Sequence, residues 1–282
     1  MTDFNGKRVL VTGATSGLGM AAAQQLAAAG AQVLLHGRSL EGAEKAADSV
    51  KAASPGANVT PVGADLSSYA GVRALAVAAR NFGRLDLLVN NAGAAFRSFA
   101  LTADGVERSI SLNHHVPLLL TDLLKRNLAP EAIVATVSSA AAGFVTIDED
   151  NPDVTGGTME PDYDQLRVYG VSKLLNMLAT KAYARRPDAP MTILVDPGGI
   201  KTNLAEKAGD EKFLKLTKQH WDDCVTADEA ARQLLATVGS AKLESGAVYH
   251  NTGIIAGSEL TKNTALADRI YDATQAAFAD RL

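Results

Sequence analysis

The chain has 282 residues, 47% of them hydrophobic and 21% charged, with a formal net charge of −4. That balance excludes general disorder, supplies ample apolar material for a core and leaves no basic footprint for nucleic acid. The 5% of aromatics are too few for base-stacking platforms, and the single cysteine, Cys224, makes neither an internal disulfide nor a thiolate metal cluster.

In chain order, residues 8–12 read as a short, continuously apolar strand, followed by an Ala-rich helix over 16–29 that Gly30 ends. Later strands are expected at 32–36, 59–62, 85–90, 132–138, 192–196 and 247–250. Helices are expected at 40–53, 68–81, 102–128, 165–185, 203–219, 227–239 and 262–279. Strand–helix alternation with strands apolar on both faces implies a parallel sheet covered on both sides. The reading is one α/β domain over residues 1–282, a doubly wound Rossmann-type fold with about seven parallel strands. No apolar run approaches the roughly 18 residues of a membrane span. The first run is too short for a secretory leader, so the chain reads as cytoplasmic with no membrane span.

Residues 144–164 break the rhythm. They hold seven carboxylates (Asp148, Glu149, Asp150, Asp153, Glu160, Asp162, Asp164), no Lys or Arg, and two prolines and two glycines. Either this is a solvated surface insertion, or it is a flap whose Val145, Ile147, Val154, Met159 and Tyr163 rest on the rim of a cleft.

The first strand runs into Thr12-Gly13-Ala14-Thr15-Ser16-Gly17-Leu18-Gly19. Glycines there allow a sharp turn and close approach of a pyrophosphate to backbone N–H groups at a helix N-terminus, so Gly13, Ser16, Gly17, Leu18 and Gly19 are candidate cofactor contacts. Choice of cofactor is read after the second strand. NAD selection places an acid there to hold the ribose hydroxyls. This chain has Gly37-Arg38-Ser39 and no acid before Glu41. Arg38 offers a forked, charge-assisted donor to a 2′-phosphate, which favours NADP(H). The alternative is an arginine stacked on adenine with either cofactor, which leaves NAD(H) possible.

Tyr169 and Lys173 lie at i and i+4 on one helix face. A neighbouring ammonium favours the phenolate of a tyrosine that otherwise titrates near ~10, which suits Tyr169 to acid–base work.

With this pair beside that phosphate loop, the chain resembles the short-chain dehydrogenase/reductase family, in its compact branch. Further motifs follow in the family's order: Asp65-Leu66 after the third strand, Asn90-Asn91-Ala92-Gly93 after the fourth, Ser111-Leu112-Asn113 in a long helix, Val137-Ser138-Ser139 after the fifth strand, and Asp196-Pro197-Gly198-Gly199-Ile200-Lys201-Thr202 after the sixth. The resemblance runs from Lys7 to about Tyr249. It implies catalytic roles for Asn113, Ser139, Tyr169 and Lys173. It also implies cofactor contacts from Asp65, Leu66, Asn90, Ala92, Gly93, Tyr169, Lys173, Pro197, Gly198, Ile200 and Thr202. Ser138 is the alternative to Ser139, since a strand turns only one of two neighbours into a cleft. Asn113 would position water linking Lys173 to solvent, or merely bond backbone. His114 and His115 read as packing or interface residues, and Cys224 as a small hydrophobe. Ser139 and Tyr169 stand 30 positions apart, longer than is usual in the compact branch. That length, the Tyr169–Asn176 string and the Leu118–Thr121 run resemble the retinol-dehydrogenase-like subgroup.

The resemblance implies hydride transfer between a nicotinamide and a small ketone, aldehyde or secondary alcohol. The alternatives are a non-catalytic nucleotide sensor on the same fold and a reductase of carbon–carbon double bonds. Ala94, Ala95, Phe96, Phe144, Leu204, Phe213 and Trp221, the last three in a substrate-loop region over 203–224, suggest an apolar pocket. Trp221 is otherwise a core residue. No metal site is expected. The apolar stripes of the 102–128 and 165–185 helices, with Leu118, Leu119, Leu174, Leu175 and Leu178, resemble the pair this family uses to form homodimers or homotetramers.

Overall fold

Strand β1 (Arg8–Val11) shows how the sheet divides the protein. Val9, Leu10 and Val11 are all fully buried, yet they alternate between two separate apolar clusters, Val9 and Val11 on one side and Leu10 on the other. β2 (Gln32–Gly37) and β4 (Leu85–Asn90) do the same, with Leu34 and Leu88 opposite Val33, Leu35, Leu87 and Val89. A period of two with both sides apolar is the mark of a strand between two helical layers. These features come from a computed structural model that describes residues 3–201, 215, 221–257 and 259–279.

The sheet also holds β3 (Asn58–Gly63), β5 (Leu128–Val137), β6 (Met191–Val195), β7 (Val248–His250) and β8 (Gly253–Ile254). Its order is β3-β2-β1-β4-β5-β6-β7-β8. The first seven strands are parallel and β8 returns antiparallel to β7. The expected seven parallel strands are therefore present, with an eighth added. β8 follows a two-residue turn in which Asn251 and Thr252 both take positive φ, 48° and 66°. Two residues carry no readable period, and a β-branched Thr252 in that region is not a turn signal.

One face is covered by α1 (Gly17–Ala28), α2 (Leu40–Ala53) and α7 (Ala227–Val238). The other is covered by α3 (Tyr69–Phe82), α5 (Val116–Leu124), α6 (Gln165–Ala184) and, packed on α6, α8 (Thr264–Ala279). The helix expected over 102–128 is shorter and broken. Residues 102–105 form a turn with Gly105 at φ 71°, and Leu101 bridges to Glu107. The helix then begins as α4 (Arg108–Ile110), widens into a π turn (Ser111–His115), continues as α5 and stops where β5 starts at Leu128. The helix expected over 203–219 falls almost wholly outside the described residues, as do Leu204, Phe213 and the side chain of Trp221. No described helix is long and apolar enough to cross a membrane.

The stripes read as an assembly surface are used inside the chain. Leu118, Leu119, Leu174, Leu175 and Leu178 are buried. α8 docks on α6 through Leu266, Ile270 and Phe278 and is fastened at its edges by Arg185–Asp268 (2.8 Å) and Arg186–Asp272 (3.0 Å). The His114 side chain reaches the same helix, donating from Nε2 to Thr274 Oγ1 at 2.9 Å.

The acidic segment is a docked arm. Val154 and Met159 are buried in the core, with Val145, Ile147 and Tyr163 packed against it, while Asp148, Glu149, Asp150, Glu160 and Asp162 face water. Its backbone is tied down by Glu107 N–H to Thr155 O (2.8 Å) and by His115 Nε2–H to Val154 O (2.7 Å). Asp153 organises the turn, accepting from the amides of Thr155, Gly156 and Thr158 and from both threonine hydroxyls. Burial works to raise its pKa, but those bonds outweigh it and hold the carboxyl below its ordinary value. Met159→Ala is expected to cost about 2–3 kcal/mol of stability, as a truncation in a packed core does. Chemical denaturation checks this, since a solvated segment would lose nothing.

Candidate active site

The carboxyl ends of the parallel strands meet where the order reverses between β1 and β4, the place where open sheets leave a crevice. On the β1 side, Gly13 turns at φ 64°, and a Cβ there would lie 2.9 Å from Ala92 Cα. A Cβ on Gly19 would lie 2.4 Å from Asn91 Nδ2, so α1 can start this close to the β4 loop only with glycine. The β4 loop is tied to β1 by Thr12 Oγ1, which accepts from the amides of Asn91 and Ala92, both at 3.0 Å. Asn91 Nδ2 donates to Thr12 O at 2.8 Å.

Ser16 is the N-cap of α1, but its side chain does not cap the helix, and the first turn holds no acid. The leading amides of such a helix have no intrahelical acceptor and suit an anion. A Cβ on Gly37 would touch Thr15 Cγ2 at 2.7 Å, so Arg38 emerges beside this loop. Arg38 is exposed and makes no ion pair among the described residues, whereas Glu41 is held by Lys45 at 2.6 Å. Loop, helix end and free guanidinium fit a phosphorylated dinucleotide.

On the β5 side the four catalytic candidates converge. Ser138 is buried, whereas Ser139 is half-exposed and hydrogen-bonded to Tyr169. Tyr169 packs against Ala95 and Ala141. Lys173, one turn further along α6, donates from Nζ to Val137 O at 2.8 Å. Asn113 sits in the π turn, a distortion that often marks functional sites. Its Oδ1 accepts from Ala94 N (3.0 Å), and its Nδ2 donates to Ala94 O (2.8 Å) and Ser172 Oγ (2.9 Å). The Asn113 amide is thus occupied in holding the β4 loop to α6. Gly93 lies over the group, where a Cβ would stand 2.9 Å from Asn113 Oδ1 and 3.7 Å from Lys173 Nζ.

The net shift of Tyr169 runs opposite to the expected one. The Lys173 ammonium is turned to Val137 O and lies 5.9 Å from the Tyr169 ring centroid. Burial pushes the Tyr169 pKa up, partly opposed by the Ser139 hydrogen bond and reinforced by Asp196. Burial pulls Lys173 down to about 8, with Asp196 acting against it. Tyr169 therefore rests as a phenol.

Several proposed cofactor residues present backbone only. Asn90 is buried, its amide directed to Thr121 Oγ1 at 3.1 Å, and Leu66 lies in the core. Asp65 is exposed, with its carboxylate on Ser67 N at 3.0 Å. Pro197 is buried, and Gly198 turns at φ 69° with its amide on Asp196 Oδ1 at 2.9 Å. Ile200 pairs with Val225 in a short parallel bridge. Thr202 lies outside the described residues. No group of three or more His, Cys, Asp or Glu is placed to hold a metal among the described residues.

The expected pocket residue Phe96 and the rim residue Tyr163 lie near two residues the sequence did not single out, Glu107 and Arg108. Glu107 is fully buried and caps α4 through the amides of Ser109 (2.7 Å) and Ile110 (3.0 Å). Burial raises its pKa, against those bonds. Tyr163 donates to Phe96 O at 2.7 Å. Arg108 stacks on Phe96 at 4.6 Å and donates to Ser98 O at 2.8 Å. Phe144, 87% exposed, stands free just beyond Ser139. Glutamate is a weak cap signal, and pairings this distant leave no trace in spacing.

A family model described as short chain dehydrogenase matches residues 7–148. A Streptomyces sp. (strain C5) protein provisionally named daunorubicin C-13 ketoreductase DnrU is 32% identical over 278 residues, 98% of this chain and 93% of that one. Human retinol dehydrogenase 14 is 35% identical over 221 residues, 71% of this chain and 64% of that one. Among solved structures, the active-site complex of Pseudomonas aeruginosa RhlG with NADP superposes with a TM-score of 0.68 at 25% identity, covering 89% of this chain and 97% of that one.

Proposed function

The chain belongs to the short-chain dehydrogenase/reductase family, with retinol-dehydrogenase-like relatives, and we propose that this oxidoreductase is an NADP(H)-dependent reductase of apolar ketones or aldehydes. The observation that carries the reading is the hydrogen bond between Ser139 and Tyr169 beside Lys173, at the mouth of a loop fit for a dinucleotide. The bound nicotinamide supplies the hydride in reduction or takes it up in oxidation. Gly17, Leu18 and Gly19 would hold its pyrophosphate, and Arg38 its 2′-phosphate. The NADP bound to the RhlG structure supports that choice of cofactor.

The chain's own groups do the rest. Ser139 donates to the carbonyl oxygen and stabilises charge developing there. Tyr169, held as a phenol by burial, gives its proton to that oxygen. Lys173 carries the positive charge next to the site and would anchor the cofactor's ribose. Asn113 keeps the β4 loop in register with α6. A resting phenol favours reduction, since oxidation needs the phenolate. The ketoreductase relative supports the same direction.

The pH dependence tests this. Lys173 acts as the cation, with its pKa lowered to about 8 by burial. kcat/KM for reduction is therefore expected to stay level below pH ~7.5 and to fall as pH rises through about 8. Oxidation of the matching alcohol needs the phenolate as well as the cation, and should instead rise with pH up to about 8 and then level off, as the gain in phenolate is offset by loss of the lysine charge. A reduction profile that climbs between pH 7 and 9 would contradict the assignment. Assembly belongs to the same proposal. With the α5 and α6 stripes buried in the chain, a homodimer or homotetramer would have to form across other surfaces, and light scattering separates it from a 29.3 kDa monomer.

A further inference from the structure

His36 is a polar residue at the end of a strand, 2% exposed, in a position where apolar packing alone would be ordinary. Its ring bonds in two directions. Nε2 lies 3.0 Å from Ala64 O, an acceptor only, so Nε2 carries the hydrogen. Nδ1 is then a lone pair, and it accepts from Gly13 N at 3.1 Å. The backbone carbonyl of the same residue accepts from Ala14 N at 2.8 Å. One residue thus takes two consecutive amides of the phosphate loop, at the point where Gly13 turns with positive φ. It links that loop to the end of β3, next to Asp65.

We propose that His36 is a positioning residue for the dinucleotide, a neutral clamp that sets the curvature of the phosphate loop by taking the Gly13 and Ala14 amides and so aims the N-terminus of α1 at the pyrophosphate. The ring touches no part of the cofactor and acts through the loop. Burial lowers the His36 pKa, partly offset by the Ala64 carbonyl and by the Asp65 carboxylate, which keeps the acceptor nitrogen available. A cationic ring would set an N–H against the Gly13 N–H. Because the pyrophosphate is common to both nicotinamide dinucleotides, the clamp serves NADPH and NADH alike, unlike Arg38.

The inference rests on the proposed cofactor, and the test separates the two. The dissociation constants of NADPH and NADH are measured by fluorescence titration on the wild type and three variants, with the melting temperature of the cofactor-free protein and kcat at saturating NADPH. His36→Phe keeps the ring but takes the acceptor from the half-buried Gly13 amide, and is expected to weaken both cofactors on the order of tenfold, by the same factor. Its kcat at saturation should stay within about threefold. His36→Asn places an oxygen where Nδ1 stood and should recover most of the affinity. His36→Gln places its amide nitrogen where Nε2 stood, restores only the Ala64 bond, and should not. If the phenylalanine variant does not fold, the Asn–Gln contrast alone decides. Equal affinity in wild type and His36→Phe, or Asn and Gln variants that bind alike, would overturn the clamp. A wild type that binds neither dinucleotide would instead overturn the cofactor reading.

Discussion

Tyr169→Phe is expected to lower turnover by ~10³-fold while NADPH binding changes by less than about threefold, within the range removed with a general acid. The substitution deletes one oxygen and nothing else. The ring still packs against Ala95 and Ala141. Lys173 keeps its bond to Val137 O. The phosphate loop and Arg38 lie on other strands. Stopped-flow single turnovers with excess enzyme would separate the chemical step from product release. Turnover within tenfold of wild type would remove Tyr169 from the acid role and leave Ser139 or water to be considered. Structural collapse is not an escape, since the melting temperature and the cofactor titration report it independently.

Arg38→Ala should weaken NADPH on the order of ten- to a hundredfold and NADH by less than about threefold, as expected when a forked charge-assisted donor to a phosphate is removed. The motive is local. β2 ends in Gly37, which admits Thr15, and the chain then exposes Arg38 with no acid until Glu41, itself paired with Lys45. Raising ionic strength should narrow the difference in the wild type, because an exposed pair is screened. Equal loss of both cofactors would place the guanidinium on the adenine. A wild type that prefers NADH would reverse the cofactor assignment.

Much of this architecture is written locally. Runs such as Val9-Leu10-Val11, short, β-branched and followed by a glycine turn, read as strands between two layers, and glycines at 13, 17 and 19 leave few choices for that turn. The candidate group that the structure brings together is legible because Tyr169 and Lys173 sit one helical turn apart, and because the remaining motifs fall in a recognisable order. What escaped depends on partners far apart in the chain. α4 starts six residues later than the pattern predicts, because its cap is a buried glutamate, a residue that is a weak cap signal, on the amides of Ser109 and Ile110, and Tyr163, 56 positions away, closes over it. The net direction of the Tyr169 shift is set by burial and Asp196, and spacing, which puts tyrosine and lysine on one face, says nothing of either or of Val137 O. The apolar stripes of α5 and α6 were real, but a stripe does not say whether its cover is a second chain or a later helix.

That cover has a consequence for the order of events during synthesis. α6 ends at Ala184 and α8 begins at Thr264, so some 80 residues are made between a greasy helix and the one that shields it. At ordinary ribosomal speeds of about 5–20 residues per second, the nascent chain carries that face bare for several seconds to a quarter of a minute. The interval is long compared with collapse of a small domain, and it marks a window in which chaperones are most needed. The same docking event presses Thr274 against His114, the neighbour of Asn113. Shielding of that face and the seating of the π turn that carries Asn113 therefore arrive together.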